Sequence, residues 1–241
     1  MRRLLGAIQF LTVLPLRMRT ASPGESALFF PLIGAGLGWL AGQWLLMIQP
    51  WLGSSLAAVM VLAFLALLTG GLHEDGLADV ADALRAHRTK EKMATILKDS
   101  RIGVFGALAL VYIVVMRWQA LVRMPADPVN ELVACLAVSR AALVAQAWVS
   151  RPVGDGLGAA FSRDLHSLAA LFAIATGVAF AFLPGVTAGV AILIAAGLST
   201  MVLNRWFDAR LGGVNGDCLG ATCLVSETFA LLFVSCRNCF W

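Results

Sequence analysis

Asp75, Asp79 and Asp82 stand four and three residues apart. At 3.6 residues per turn this spacing stacks three carboxylates on one helix face. Like charges so placed repel, so a bare helix gains nothing from them. A hard divalent cation supplies the missing partner, because Mg²⁺ accepts a few carboxylates and completes its shell with water and substrate phosphate. Gly70, Gly71 and Gly76 leave room for phosphate oxygens or a neighbouring backbone. His73 and Glu74 stand beside the triad. His73 fits a metal ligand, a general base or an interfacial polar residue, and the spacing leaves these open. A solvated acidic face would also show such a charge run. The metal reading is favoured because the triad starts directly after an apolar run and its opposite face is Leu77, Val80 and Leu84.

Two further segments carry chemistry. Lys98 and Arg101 flank Asp99 and Ser100, and Arg101-Ile102-Gly103 falls where a helix begins. There free backbone N–H groups and a guanidinium can jointly hold a phosphate. Lys98 suits a membrane anchor better. Gly212-Gly213-Val214-Asn215-Gly216-Asp217 is a second glycine-rich loop. The bare backbone at Gly213 and Gly216 suits an anion, and Asp217 suits a metal, a ribose hydroxyl or a helix cap. Asp155, within Pro152–Gly158, faces the same choice, and there the structural reading is expected. Arg140 and Glu227 lie near the centres of apolar runs. Charges at that depth face a bundle interior and find partners, so the two are expected to pair or to line a polar cavity below the site. An Arg/Glu swap is then expected to be milder than either single replacement.

The elements that must position these groups are membrane helices. The 241 residues are 60% hydrophobic and 13% charged, with a mean hydropathy of +0.85, too little charge to cover a soluble domain. The expectation is an all-α, polytopic bundle of about seven transmembrane helices, at about 28–49, 52–72, 103–122, 131–150, 165–184, 186–203 and 218–235. Pro50 and Pro184-Gly185 mark turns. The apolar run Leu4–Leu16 follows Arg2 and Arg3 but is short for a span and meets Arg17 and Arg19 without a cleavage signal. It reads as a retained interfacial or re-entrant helix. Lys and Arg concentrate before the first span and in 70–102, 151–164 and 204–217. The positive-inside rule therefore puts these three segments in the cytoplasm, as catalytic loops of a single domain, 1–241. The net charge of +4 contains no basic run and gives no reason to expect nucleic acid. Cys236 and Cys239 form a lone CxxC, read as incidental.

Several stretches, in order, resemble the cobalamin synthase (adenosylcobinamide-GDP ribazoletransferase) family. They are Phe10-Leu11-Thr12 with Leu14-Pro15, Phe30-Pro31-Leu32-Ile33-Gly34, Gly70-Gly71-Leu72-His73-Glu74-Asp75-Gly76-Leu77-Ala78-Asp79, Asp99-Ser100-Arg101-Ile102-Gly103, Ser139-Arg140, and Gly212 to Ala221. Two positions depart from it: Ala83 where the family usually has Gly, and Asn215 where it usually has Thr. The resemblance implies a multi-pass protein of the cytoplasmic (inner) membrane that requires Mg²⁺. It joins adenosylcobinamide-GDP to α-ribazole or its 5′-phosphate and releases GMP. It also implies metal binding by Asp75, Asp79 and Asp82, and chemistry at His73, Glu74 and Asp75. Phosphate or substrate would be held by Gly76, Asp99, Ser100, Arg101, Gly103, Arg140, Gly213, Asn215, Gly216 and Asp217. Oligomers are compatible with this reading.

Two other classes compete. A CDP-alcohol phosphotransferase also uses clustered helix aspartates with Mg²⁺, but its D-G-x-x-A-R signature is not provided by Asp75-Gly76-Leu77-Ala78-Asp79. A cation-coupled transporter would suit Arg140 and Glu227, but its acids belong at the bilayer midplane rather than at one edge.

Overall fold

Apolar runs punctuated by proline and glycine turns give the chain its elements. The computed structural model describes residues 1–15, 19–83, 89, 93, 96–97 and 101–236. Of the residues singled out above, Leu16, Arg17, Leu84, Lys98, Asp99, Ser100 and Cys239 lie outside them. The described residues form helices α1 (Arg2–Leu11), α2 (Pro23–Ser26), α3 (Phe30–Thr69), α4 (Leu72–Ala83), α5 (Val104–Val122), α6 (Val129–Val149), α7 (Leu157–Asp164), α8 (Ser167–Ala181), α9 (Val186–Leu211) and α10 (Gly216–Ser235). No strand occurs among them; the one extended contact is a bridge between Pro152 and Val214.

Among the described residues five helices are long and apolar enough to cross a bilayer, and α7 with α8, bent by 99°, forms a broken span or a re-entrant loop that brings the total to six when counted as one span. The seventh apolar helix expected from the sequence is inside α3. Pro50 cannot donate its backbone bond, and Gly53 sits at φ 71°, ψ 162°, outside the helical region. The rings of Trp44 and Phe64 stack at 5.8 Å. Twenty residues of straight helix would separate them by about 30 Å, so α3 is a hairpin whose arms, 30–52 and 54–69, run back along each other. Helix α1, ten residues long, extends only about 15 Å. It packs Gly6, Ala7 and Leu11 inward, and Val13 donates its N–H to the Leu68 carbonyl at 2.9 Å.

The interior belongs to α6 and α10, whose apolar windows are 83% and 78% buried against 28% for α5 and α9. Close packing around α6 depends on small residues, because helices in lipid gain most from backbone approach. A side-chain carbon at Gly34 would fall 2.3 Å from the Leu136 carbonyl oxygen, and one at Gly38 2.4 Å from that of Leu132. Helix α4 is carried at one end of the bundle, against α10 and α5. Gly70 and Gly71, at φ 67° and 66°, turn the chain out of α3 into it.

Candidate active site

Three chain segments that are distant in sequence meet at this end of the bundle. They are the start of α4, the 153–161 segment leading into α7, and the loop before α10. Together with Phe10 they line a cavity of about 630 Å³. Its polar wall includes His73, Asp75, Asn215, Gly216 and Asp217, and its apolar wall includes Phe10, Leu143, Val153, Leu157, Phe161 and Leu211.

Helix α4 can approach α10 so closely only because position 76 is glycine. A Cβ there would stand 2.8 Å from the Asp217 carbonyl oxygen. The approach brings Asp217 against the acidic face of α4. Asp79 records the crowding: burial and then the charges of Asp75, Asp217 and Asp82 push its carboxyl up to about 6. The α10 turn is built by Asn215, whose side-chain oxygen accepts from the Cys218 N–H at 3.0 Å while its amide donates to Asp217 at 2.8 Å. Asparagine therefore caps this helix where the resembling family has threonine, another good N-cap. Gly213 is a backbone position, bound to the extended 151–153 segment: a Cβ on it would meet the Arg151 carbonyl oxygen at 2.2 Å.

Asp82 lies on the same helix but turns to another task. Its carboxylate accepts the Gly103 N–H at 2.6 Å, in a niche that a Cβ at Gly103 or Gly106 would fill at 2.4 Å. It thus caps the first turn of α5, where an anion is favoured, and does not line the cavity with Asp75. Arg101, also expected at this helix start, is exposed.

Below the acids lies a closed set of charges. Arg117 donates to Glu74 at 3.1 Å and to Glu227 at 2.5 Å, while Arg140 donates to the other oxygen of Glu227 and to Ser139 at 2.9 Å. Arg117, Arg140 and Glu227 are 4%, 3% and 1% exposed. The pairing of Arg140 with Glu227 agrees with their depth in the sequence. Arg117 is a third member that the sequence reading does not single out, although a lone arginine inside the 103–122 apolar run is its signal. Two anions and two cations balance. Arg140 therefore belongs to this support and not to the cavity wall.

The same geometry separates the two candidate bases. Glu74 is occupied by Arg117. His73 lines the cavity with an Nε2 that has no hydrogen-bond partner among the described residues. Burial, with help from Arg140 and Arg117, lowers its pKa to about 3, so the imidazole is neutral.

Among the described residues no three His, Cys, Asp or Glu side chains close on a point that could hold a metal ion. The donors nonetheless suit one shared with a ligand. Asp75, Asp79 and Asp217 are all hard oxygen donors, and the crowding at Asp79 calls for a neutralising cation. Mg²⁺ typically takes one or two carboxylates and completes its shell from phosphate and water. Asp75 lies exposed in the cavity, where such a ligand would reach it.

The 153–161 segment is the part that residue spacing undervalues. Asp155 itself is exposed, lies 3.7 Å from Arg163 and stands at the rim of the same cavity. Gly158 sits so near Gly216 that a Cβ would fall 2.2 Å from the Gly216 nitrogen, and this contact joins the two glycine-rich loops.

Comparison with known proteins gives a consistent result. The family model described as cobalamin-5-phosphate synthase matches residues 3–235. The adenosylcobinamide-GDP ribazoletransferase of Geotalea daltonii is 35% identical over 235 residues, covering 94% of each chain. That of Klebsiella pneumoniae is 38% identical over 241 residues, covering 94% of this chain and 96% of its own. That of Clostridium acetobutylicum is 31% identical, with 97% and 95% covered. No solved structure matches the chain.

Proposed function

The chain belongs to the cobalamin-5-phosphate synthase family, and from that premise we propose that the cavity transfers the phosphocobinamide group of adenosylcobinamide-GDP to α-ribazole or its 5′-phosphate. It is a multi-pass membrane enzyme of cobalamin biosynthesis. The observation that carries the reading beyond family is the meeting of Asp75, Asp217 and His73 with two glycine-rich loops around one cavity.

In this reading a sugar hydroxyl of the ribazole attacks the phosphorus bound to cobinamide. The bond from that phosphorus to the oxygen of the GMP phosphate breaks, and GMP leaves. Such a displacement spreads negative charge over the phosphoryl oxygens, so catalysis is largely positioning and neutralisation. Asp75 and Asp79, with Asp217 opposite, would hold Mg²⁺, which when bound neutralises charge on the diphosphate. Asp82 keeps α5 and its Gly103 turn beside this face. His73 accepts the hydroxyl proton. Its proton affinity is low in the empty cavity, but an anionic diphosphate beside it favours the charged form, so acceptance is tied to the loaded site. Glu74, clamped by Arg117, fixes the first turn of α4 from which His73 and Asp75 project. The concentration of Lys and Arg in the segments at this end supports an active site facing the cytoplasm, in the cytoplasmic membrane.

The test is GMP release from adenosylcobinamide-GDP by the purified full-length protein, with and without α-ribazole and with Mg²⁺ present or chelated. Product that forms only with both supports the reading. GMP release independent of α-ribazole refutes it.

A further inference from the structure

The cavity has two unlike halves. Its acidic and glycine-rich half suits a diphosphate and a sugar. Its other half presents apolar side chains: Phe10 reaches in from α1, Val153, Leu157 and Phe161 from the 153–161 segment, and Leu211 from the end of α9. Phe10, Phe30 and Phe161 are stacked, with centroids 5.4, 5.5 and 6.0 Å apart and planes within 21°. Phe30 and Phe161 are at most 1% exposed, whereas Phe10 is half-buried. The two inner rings therefore fix the orientation of the outer one. Leu157 is 76% exposed at the rim, a large apolar side chain standing in a glycine-rich loop.

We propose that this apolar half is the seat of the acceptor's base, with Phe10 as its stacking platform, and that it selects a nucleoside whose base is flat and apolar. The inference rests on the function proposed above and deepens it. A ribazole base is a methylated bicyclic arene with no edge donor. Its one polar edge atom is the free ring nitrogen, so covering Phe10, Val153, Leu157 and Leu211 can strand at most a single acceptor. The guanine of the donor carries several donors and acceptors along its edges, and burial against these side chains would leave them unpaired. The apolar wall thus sorts the two nucleosides: the ribazole lies on the Phe10 side, its sugar hydroxyl directed to His73, and the guanosine lies elsewhere. A fixed ring also loses little freedom on stacking.

The experiment is steady-state GMP release by the full-length protein in lipid nanodiscs, varying α-ribazole at saturating adenosylcobinamide-GDP and then the reverse. Base stacking on an aromatic side chain is worth about 1–3 kcal/mol by alanine substitution, so Phe10→Ala should raise the KM for α-ribazole roughly 5- to 150-fold. The KM for adenosylcobinamide-GDP should hold within about twofold, a difference of only about 0.4 kcal/mol. Phe10→Trp should restore the wild-type KM. Leu157→Ser, at an exposed position that the fold does not need, should raise the same KM and narrow the preference for α-ribazole over a nucleoside carrying adenine in the same linkage. If Phe10→Ala and Leu157→Ser shift instead the KM for adenosylcobinamide-GDP, or neither KM, while the wild type turns over normally, the base seat is refuted and the proposed reaction stands. A wild-type protein that releases no GMP overturns the reaction itself, and the base seat with it.

Discussion

Glu227 should be the most costly single charge to remove, because it serves two buried arginines at once. With Glu227→Met, Arg140 loses the carboxylate it donates to and Arg117 keeps Glu74 alone. Removing one partner of a buried pair typically costs about 3–5 kcal/mol. Arg140→Met leaves Glu227 still paired to Arg117 at 2.5 Å, so its cost is that of a lost charged hydrogen bond, about 1.5–3 kcal/mol. In the double variant Arg140→Met/Glu227→Met, the surviving Arg117–Glu74 pair is neutral and no arginine is stranded. The double should therefore be more stable than Glu227→Met alone, although it lacks one more native group. For a chain of this length each kcal/mol moves the melting temperature by about 2–4 °C, so Glu227→Met should melt roughly 6–20 °C below wild type. The assay is thermal unfolding of the full-length protein in one detergent, at one scan rate, read by tryptophan fluorescence. A double variant that melts at the sum of the two single losses, or an Arg140→Met that is costlier than Glu227→Met, refutes the reasoning. The Arg140→Glu/Glu227→Arg swap gives a further check. The sequence alone predicts rescue, but Arg117 would then face a second guanidinium at position 227, and the swap should melt no higher than Glu227→Met.

Other substitutions separate the acids and the glycine that gathers them. Asp75→Asn should abolish Mg²⁺-dependent GMP release, by about 10²-fold or more, as removal of a transition-state electrostatic contact does, while membrane insertion by fractionation is unchanged. Asp82→Asn should be milder, since an amide oxygen still accepts the Gly103 N–H, whereas Asp82→Ala should cost about 1 kcal/mol as a lost cap, visible as a lower melting temperature. Gly76→Leu should insert but lose activity, because its side chain meets the Asp217 backbone and parts α4 from α10. A Gly76→Leu variant with wild-type turnover would mean that the acids need not converge.

What is legible in the sequence is what depends on local pattern. Helical spacing places Asp75, Asp79 and Asp82 on α4, apolar length finds the spanning helices, and depth within them picks out Arg140 and Glu227. Pro50 marks the turn of the α3 hairpin. Spacing does not separate the roles of the three aspartates. Asp75 looks into the cavity and Asp82 into the α5 niche, and only the position of a helix more than twenty residues away decides that. The same limit hides Arg117. A charge in an apolar run has no assigned meaning until its partners are known, and both of these, Glu74 and Glu227, come from other helices.

The arrangement of charge around His73 explains why such a site can exist at a membrane edge. On one side stand Asp75, Asp79 and Asp217, like charges whose repulsion a cation or a proton relieves. On the other stands the Glu74–Arg117–Glu227–Arg140 set, which is already neutral and needs nothing from the ligand. Burial first, and then Arg140 and Arg117, outweigh the pull of Glu227 on His73, so the imidazole is neutral. In the proposed reaction the support thus does more than hold helices together: its arginines help keep His73 unprotonated and able to accept the sugar's proton.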